Sequence, residues 1–84
     1  MNDGMITFRS ITPAQRGEGL LRRKGIRCTL RRTPKKMEQR GCGYSLRLPY
    51  KDINTALMLL KDHGIAYGKV YMQQPNGLLE ELSI

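Results

Sequence analysis

The sequence has few of the residues that enzymes and secreted proteins commonly use. Its 84 residues include two cysteines, one histidine and no tryptophan. Two cysteines do not make a disulfide framework, and a single histidine leaves too few ligands for a zinc site, so no metal is expected. Glycine-rich phosphate loops and paired carboxylates are also missing, which ranks stand-alone catalysis below other functions.

Long apolar runs are absent as well. No segment approaches the roughly 20 apolar residues of a membrane-spanning helix. The first residues, MNDGMITF, show no basic segment followed by an apolar run, so no secretory signal is expected. We therefore expect a cytoplasmic protein with one domain over residues 1–84, a core in residues 5–72 and a tail in residues 73–84.

Positive charge, in contrast, is abundant and unevenly distributed. The formal net charge is +8, and 12 of the 15 Lys and Arg residues fall between Arg9 and Arg47. That segment contains only two acids, Glu18 and Glu38. Such a field attracts polyanions or an acidic partner protein, although a solvated basic surface is the simpler interpretation of any single arginine.

Hydrophobic periodicity predicts the order β-α-β-β-α-β. Strands are expected at residues 5–9, 26–31, 44–48 and 65–72, and helices at residues 10–25 and 49–64. Thr12 is the expected N-cap of the first helix, and Gly25 and Gly64 are the expected C-terminal stops. The two halves of the chain contain similar segments, LLRRKGIRCTL and LLKDHGIAYGKV, in which two leucines and a polar helix end precede Gly-Ile and a strand.

Right-handed crossovers convert this order into a ferredoxin-like α+β sandwich, in which a four-stranded antiparallel sheet carries two helices on one face. The tail begins with a turn and is expected to end in a short helical segment.

The stretch QRGCGYSLR contains the main candidate for chemistry. Cys42 stands between two glycines, with one arginine before it and another after it; these neighbours are Arg40, Gly41, Gly43 and Arg47. In the predicted topology, Cys42 approaches the turn at Ser10 and the N-terminus of the first helix. Helix N-termini and nearby cations lower a thiol pKa, so we predict that Cys42 is a reactive thiolate.

Cys28 and His63 have more ordinary interpretations. Cys28 shares the apolar phase of its strand with Ile26 and Leu30, which predicts a core residue that is too far from Cys42 for a disulfide. His63 is expected at the same end of the sheet as Cys42. A helix-capping role is favoured there over that of a base for Cys42.

Residues 5–72 resemble a family of small bacterial proteins of unknown function, described as selenium/sulfur carrier protein-like. The matching features are Thr7, Phe8, Ser10, Gly25, Ile26, Thr33, Pro34, Cys42, Gly43 and Arg47. The resemblance implies that Cys42 carries sulfur or selenium as a transient adduct without another cofactor, and that the partners are donor and acceptor proteins. The Cys-Pro-x-Pro motif of better-known sulfur carriers is absent.

Two other functions stay open. The open face of the sheet would bind RNA through basic, hydroxyl and aromatic side chains: Arg9, Arg27, Thr29, Arg31, Ser45, Arg47, Tyr67, Lys69 and Tyr71. Alternatively, the protein is a structural or oligomerising module. Its tail would then pack on the sheet or on a second chain through Leu78, Leu79, Leu82 and Ile84.

Overall fold

A computed structural model describes residues 3–33, 43–76 and 78–82, which form five strands and two helices. The elements are β1 (Asp3–Phe8), α1 (Ile11–Arg23), β2 (Thr29–Arg32), β3 (Tyr44–Pro49), α2 (Ile53–Asp62), β4 (Val70–Gln73) and β5 (Leu79–Glu81), with a 3-10 turn at Tyr50–Asp52 before α2. The strands form one sheet in the order β2-β3-β1-β4-β5, with antiparallel neighbours throughout. The predicted α+β class and the β-α-β-β-α-β order are confirmed.

The predicted number of strands is wrong, because the tail contributes a fifth strand where a short helix was expected. The Leu78 carbonyl accepts the Gln74 N–H at 2.9 Å, which closes a turn, and Leu79–Glu81 then pairs with β4. The Leu82 N–H continues the pairing to the Val70 carbonyl at 2.8 Å. Backbone groups on the outer side of β4 need partners, and this pairing supplies them.

Both helices end in the same way, as the repeated sequence predicted. The Ile26 N–H reaches back to the Leu21 carbonyl at 2.9 Å, and Ile65 makes the equivalent 2.9 Å bond to Leu60. Gly25 (φ +82°) provides the left-handed turn that this bond requires at the end of α1, and its counterpart in α2 has φ +67°. The predicted glycine stops are confirmed, and each following isoleucine is anchored in the core.

The N-terminus of α1 differs from the prediction. Ser10, with extended backbone angles, occupies the N-cap, so Thr12 lies inside the first turn of the helix. The chain needs only Arg9 and Ser10 to pass from β1 into α1. The connection is thus so short that the helix begins before Thr12, although threonine is a favourable N-cap residue.

The two helices pack together on one face of the sheet. Gly17 of α1 allows this close approach, since a Cβ there would lie 3.1 Å from Leu60 of α2 and 3.4 Å from both Leu46 and Phe8 of the sheet. The core below the helices consists mainly of aliphatic side chains together with Phe8 and Cys28. Neither described helix is long and apolar enough to cross a membrane.

Gly4 provides the second close contact between helix and sheet, and it yields a stability prediction. A Cβ at this position would lie 2.3 Å from Cγ1 and Cδ1 of the buried Ile53. Gly4→Ala is therefore expected to lower the free energy of unfolding by about 1–3 kcal/mol in urea titrations. Gly19→Ala is the control, because the nearest atom there is Arg23 Nη1 at 3.7 Å. It should be neutral or stabilise the helix by up to about 1 kcal/mol.

The same contact can be tested by a double mutant. In an Ile53→Ala background the crowding atoms are gone, so Gly4→Ala should then change the stability little. An equal loss in both backgrounds would contradict the close contact.

Candidate functional site

The described residues on either side of the Cys42 segment are joined to each other by a hydrogen bond. Cys42, Gly41 and Arg40 lie outside the described residues, but Thr33 and Gly43 on either side of the segment are described. The Thr33 N–H donates to the Gly43 carbonyl at 2.9 Å, and Gly43 is buried. Thr33 and Gly43, the described residues that flank the segment, therefore meet at one fixed point of the fold.

That point lies at the end of the sheet where β1 stops. Tyr44 is paired with Phe8 on one side and with Arg32 on the other. Because α1 begins three residues after Phe8, Gly43 is close to the start of this helix in the fold. The predicted meeting of the start of β3 with the end of β1 is confirmed.

The N-terminus of α1 keeps its positive character at this end. Ser10 is exposed, and its side chain makes no capping hydrogen bond within the described part of the chain. The first turn of the helix also contains no acidic residue. The N–H groups at the start of a helix have no partners within the helix, and together with the helix dipole they favour an anion here.

Sequence reasoning missed two arginines that the sheet brings to this end. Arg32 is exposed and its Cζ lies 5.8 Å from the centroid of the Tyr44 ring, beside Gly43. Arg9 follows Phe8 directly and is also exposed. Strand pairing could have revealed both, since antiparallel neighbours place the residues before a loop opposite those after it.

Arg47 lies elsewhere on the sheet. It lies four residue steps from Gly43, which corresponds to about 13 Å along the strand. Its Nε is 3.8 Å from Asp3 Oδ2, and its guanidinium also donates to Gln73 Oε1. This arginine therefore contacts residues of β1 and β4, and its part in a carrier site stays a prediction.

His63 occupies the C-cap of α2 and is exposed. Together with Gln15, Arg16 and Gly19 of α1 it lines a surface cavity of about 370 Å³. The structure thus places His63 against the middle of α1, and a role as a base for Cys42 stays a prediction.

Cys28 is a core residue, as predicted. Its side chain is buried, and its Sγ–H donates weakly to the Glu18 carbonyl at 3.7 Å. Burial raises the pKa of the Cys28 thiol, and a hydrogen bond with Arg22 opposes that rise only in part. A thiol in this environment is a poor nucleophile at neutral pH.

Glu18 and Arg22 connect α1 to the outer side of β2. The Glu18 carboxylate accepts the Leu30 N–H at 3.2 Å and lies 3.4 Å from Arg22 Nη2. The same arginine nitrogen donates to the Cys28 carbonyl at 3.0 Å. Two side chains one helical turn apart therefore satisfy backbone groups that face away from the rest of the sheet.

The open face of the sheet offers less stacking surface than the sequence suggested. Tyr67 packs against the core, and Tyr71 is half-buried in β4 opposite Met5. Thr7 and Ser45, paired across β1 and β3, are both about 1% exposed. Among the described residues, no group of three or more His, Cys, Asp or Glu side chains is placed to hold a metal ion.

The protein is thus a small α+β protein in which the N-terminus of α1 lies beside Gly43 and the start of β3. The chain belongs to the family described as "Putative Se/S carrier protein-like", whose model matches residues 3–72. The match ends within β4, so β5 lies beyond it. No curated protein and no solved structure matches the chain.

The environment of Cys28 gives a prediction for thiol reactivity. In a Cys42→Ser variant, the rate of Cys28 alkylation is expected to reach its midpoint above the ordinary cysteine value of about 8.5, because burial disfavours the thiolate. In urea the midpoint should return to the ordinary value. The same midpoint in folded and unfolded protein would contradict the raised pKa.

The raised pKa also fixes the direction of a stability change. The contribution of Cys28 to stability is complete below the thiol pKa of the unfolded chain and is lost as the pH rises through the higher folded value. A Cys28→Ala variant should therefore lose less stability than the parent between neutral and alkaline pH.

Proposed function

We propose that the protein is a carrier of sulfur or selenium and that Cys42 is the carrying residue. Membership of the Se/S carrier-like family is the observation behind this proposal, because the matched residues 3–72 include Cys42 and Gly43. The Cys42-Gly43 dipeptide is also the most specific feature of the resemblance found in the sequence.

The transfer requires a single thiolate and a donor that already holds a sulfane sulfur. The Cys42 thiolate attacks the terminal sulfur of a donor persulfide, forming a new S–S bond on Cys42. The S–S bond of the donor breaks, and the donor leaves as a thiolate with the bonding electron pair. The corresponding attack on the selenium of a donor selenopersulfide leaves an S–Se bond on Cys42. No external oxidant, metal or separate acid is needed.

The described surroundings favour an anion next to Gly43. The N-terminus of α1 lacks an acidic residue in its first turn, and Arg9 and Arg32 are exposed at the same end. A helix N-terminus and an arginine side chain each lower the pKa of a nearby thiol. We include Arg40 in this group because it precedes Cys42 by two residues.

The fixed base of the segment is also suited to repeated transfer. The Thr33–Gly43 hydrogen bond and the pairing of Tyr44 with Phe8 hold the residue after Cys42 to the sheet. An acidic donor or acceptor protein would be attracted by the basic surface.

The proposal is tested by loading the protein from a small-molecule polysulfide and weighing the product by mass spectrometry. The parent and Cys28→Ser are expected to gain the mass of a sulfur atom, whereas Cys42→Ser should remain unmodified. Cys28→Ser is the matched control because it removes the buried thiol by the same substitution. Equal loading of the two single variants would overturn the assignment of Cys42.

A pH titration tests the role of charge separately. In the Cys28→Ser background, Cys42 alkylation is expected to have a midpoint below the ordinary value of about 8.5. Replacing Arg32 by Gln should move this midpoint upward, and Lys51→Gln, in the turn at the opposite end of β3 from Gly43, should leave it unchanged. A midpoint at the ordinary value would show that Cys42 is not activated.

A further inference from the structure

A groove lies at the opposite end of the sheet from Gly43. Two adjoining surface cavities of about 450 and 590 Å³ form it and share Asp3, Arg27 and Pro49 as lining residues. Arg47, the groove residue nearest to Gly43 along β3, lies four residue steps from it, about 13 Å, and Pro49 lies six steps from it, about 20 Å. The groove is thus independent of the proposed Cys42 site.

Three arginines from different parts of the chain line the first cavity. Arg22 comes from α1, Arg27 from the connection to β2, and Arg47 from β3. Arg22 is held by Glu18 and the Cys28 carbonyl, and Arg47 is held by Asp3 and Gln73. Since a guanidinium has five N–H donors, both arginines keep donors for a ligand.

Arg27 is exposed, as Arg22 is, but it differs from the other two arginines in its contacts. Within residues 3–33, 43–76 and 78–82 it has no hydrogen-bond or ion-pair partner. A planar guanidinium that is exposed beside two pre-positioned ones suits a phosphate group, which can accept hydrogen bonds from several directions.

The second cavity adds an aromatic ring. Tyr50, in the turn before α2, is 40% exposed and lies next to Lys51, which lines the same cavity. An exposed ring beside a cluster of cations is the arrangement that binds a nucleobase by stacking and its phosphate by charge. Asp3 and Asp52 also line the groove, so four cations there face two carboxylates.

We propose that this groove binds single-stranded nucleic acid, with a phosphate among Arg22, Arg27 and Arg47 and a base on Tyr50. A strand is favoured over a mononucleotide because exposed cations continue beyond the groove. Arg23 and Lys24 follow at the end of α1, and Arg31 lies further along β2. Tyr50 favours a nucleic acid over an acidic peptide, because a base can stack on the ring and a carboxylate cannot.

Fluorescence anisotropy with a short labelled oligouridylate tests the proposal in the full-length protein. Binding is expected at low salt and should weaken linearly on a log-log scale as salt increases. Arg27→Gln should weaken binding about tenfold and reduce the salt slope by about 0.7, the value for the loss of one phosphate contact on a single strand. Arg16→Gln is the control, since it removes one exposed arginine from α1 beside His63, away from the groove.

Tyrosine variants test stacking apart from charge. Tyr50→Ala should weaken binding at least about fivefold, whereas Tyr50→Phe should bind like the parent. Arg27 and Tyr50 are both exposed, so their variants should remain folded, and thermal unfolding checks this. Cys42→Ser should bind the oligonucleotide unchanged, which separates this proposal from the carrier proposal.

Four results would overturn the assignment. They are absence of binding at low salt, equal losses for Arg27→Gln and Arg16→Gln, an unchanged affinity in Tyr50→Ala, and competition by oligoglutamate or uridine monophosphate as effective as that by the unlabelled oligonucleotide. The last result would point to an acidic protein or a free nucleotide as the ligand.

Discussion

The pairing of β1 with β3 is the constraint on which both ends of the molecule depend. It runs through six consecutive residue pairs, from Asp3 opposite Pro49 to Phe8 opposite Tyr44. A slip of one residue would place Ile6 and Leu46 on opposite faces of the sheet, so that one of them would leave the core. The same register fixes Gly43 beside the start of α1 and fixes Arg47 beside Asp3. Two surfaces with different chemistry are thus positioned by one set of strand contacts.

Local sequence signals predicted the parts of the fold that depend on local physics. Gly25 and Gly64 adopt positive φ angles where the sequence stops each helix, and the isoleucine after each glycine is buried. The alternation of Ile26, Arg27 and Cys28 also agrees with their burial. These features depend on backbone geometry and on the polarity of residues that are close together in the sequence.

Features set by distant partners were harder to predict. The tail has leucines at a helical spacing, but hydrogen bonds to β4 make it a strand. Thr12 has N-cap chemistry, but the length of the connection gives that position to Ser10. Near the candidate site, nearness in sequence pointed to Arg47, whereas the sheet brings Arg32 beside Gly43. Each case requires knowledge of which strands are neighbours.

The fold divides the positive charge into two groups. Arg22 and Arg47 are paired with acids, whereas Arg9, Arg27 and Arg32 are exposed and have no ion-pair partner among the described residues. Exposed ion pairs contribute about 0–1 kcal/mol to stability, so the pairs of Arg22 and Arg47 matter mainly because they fix the direction of each guanidinium. Arg9, Arg27 and Arg32 therefore dominate the field that an anion meets when it approaches the described part of the chain.

The bonds that Glu18 and Arg22 make to β2 have a consequence for the behaviour of the protein at high concentration. An edge strand with free N–H and carbonyl groups is a template for edge-to-edge aggregation. In this protein the Leu30 N–H and the Cys28 carbonyl are already bonded by α1. At the opposite edge, strand β5 is only three residues long and carries the exposed charge of Glu80, and both features disfavour pairing with a second copy. Side chains at both margins of the sheet therefore oppose self-assembly into larger sheets.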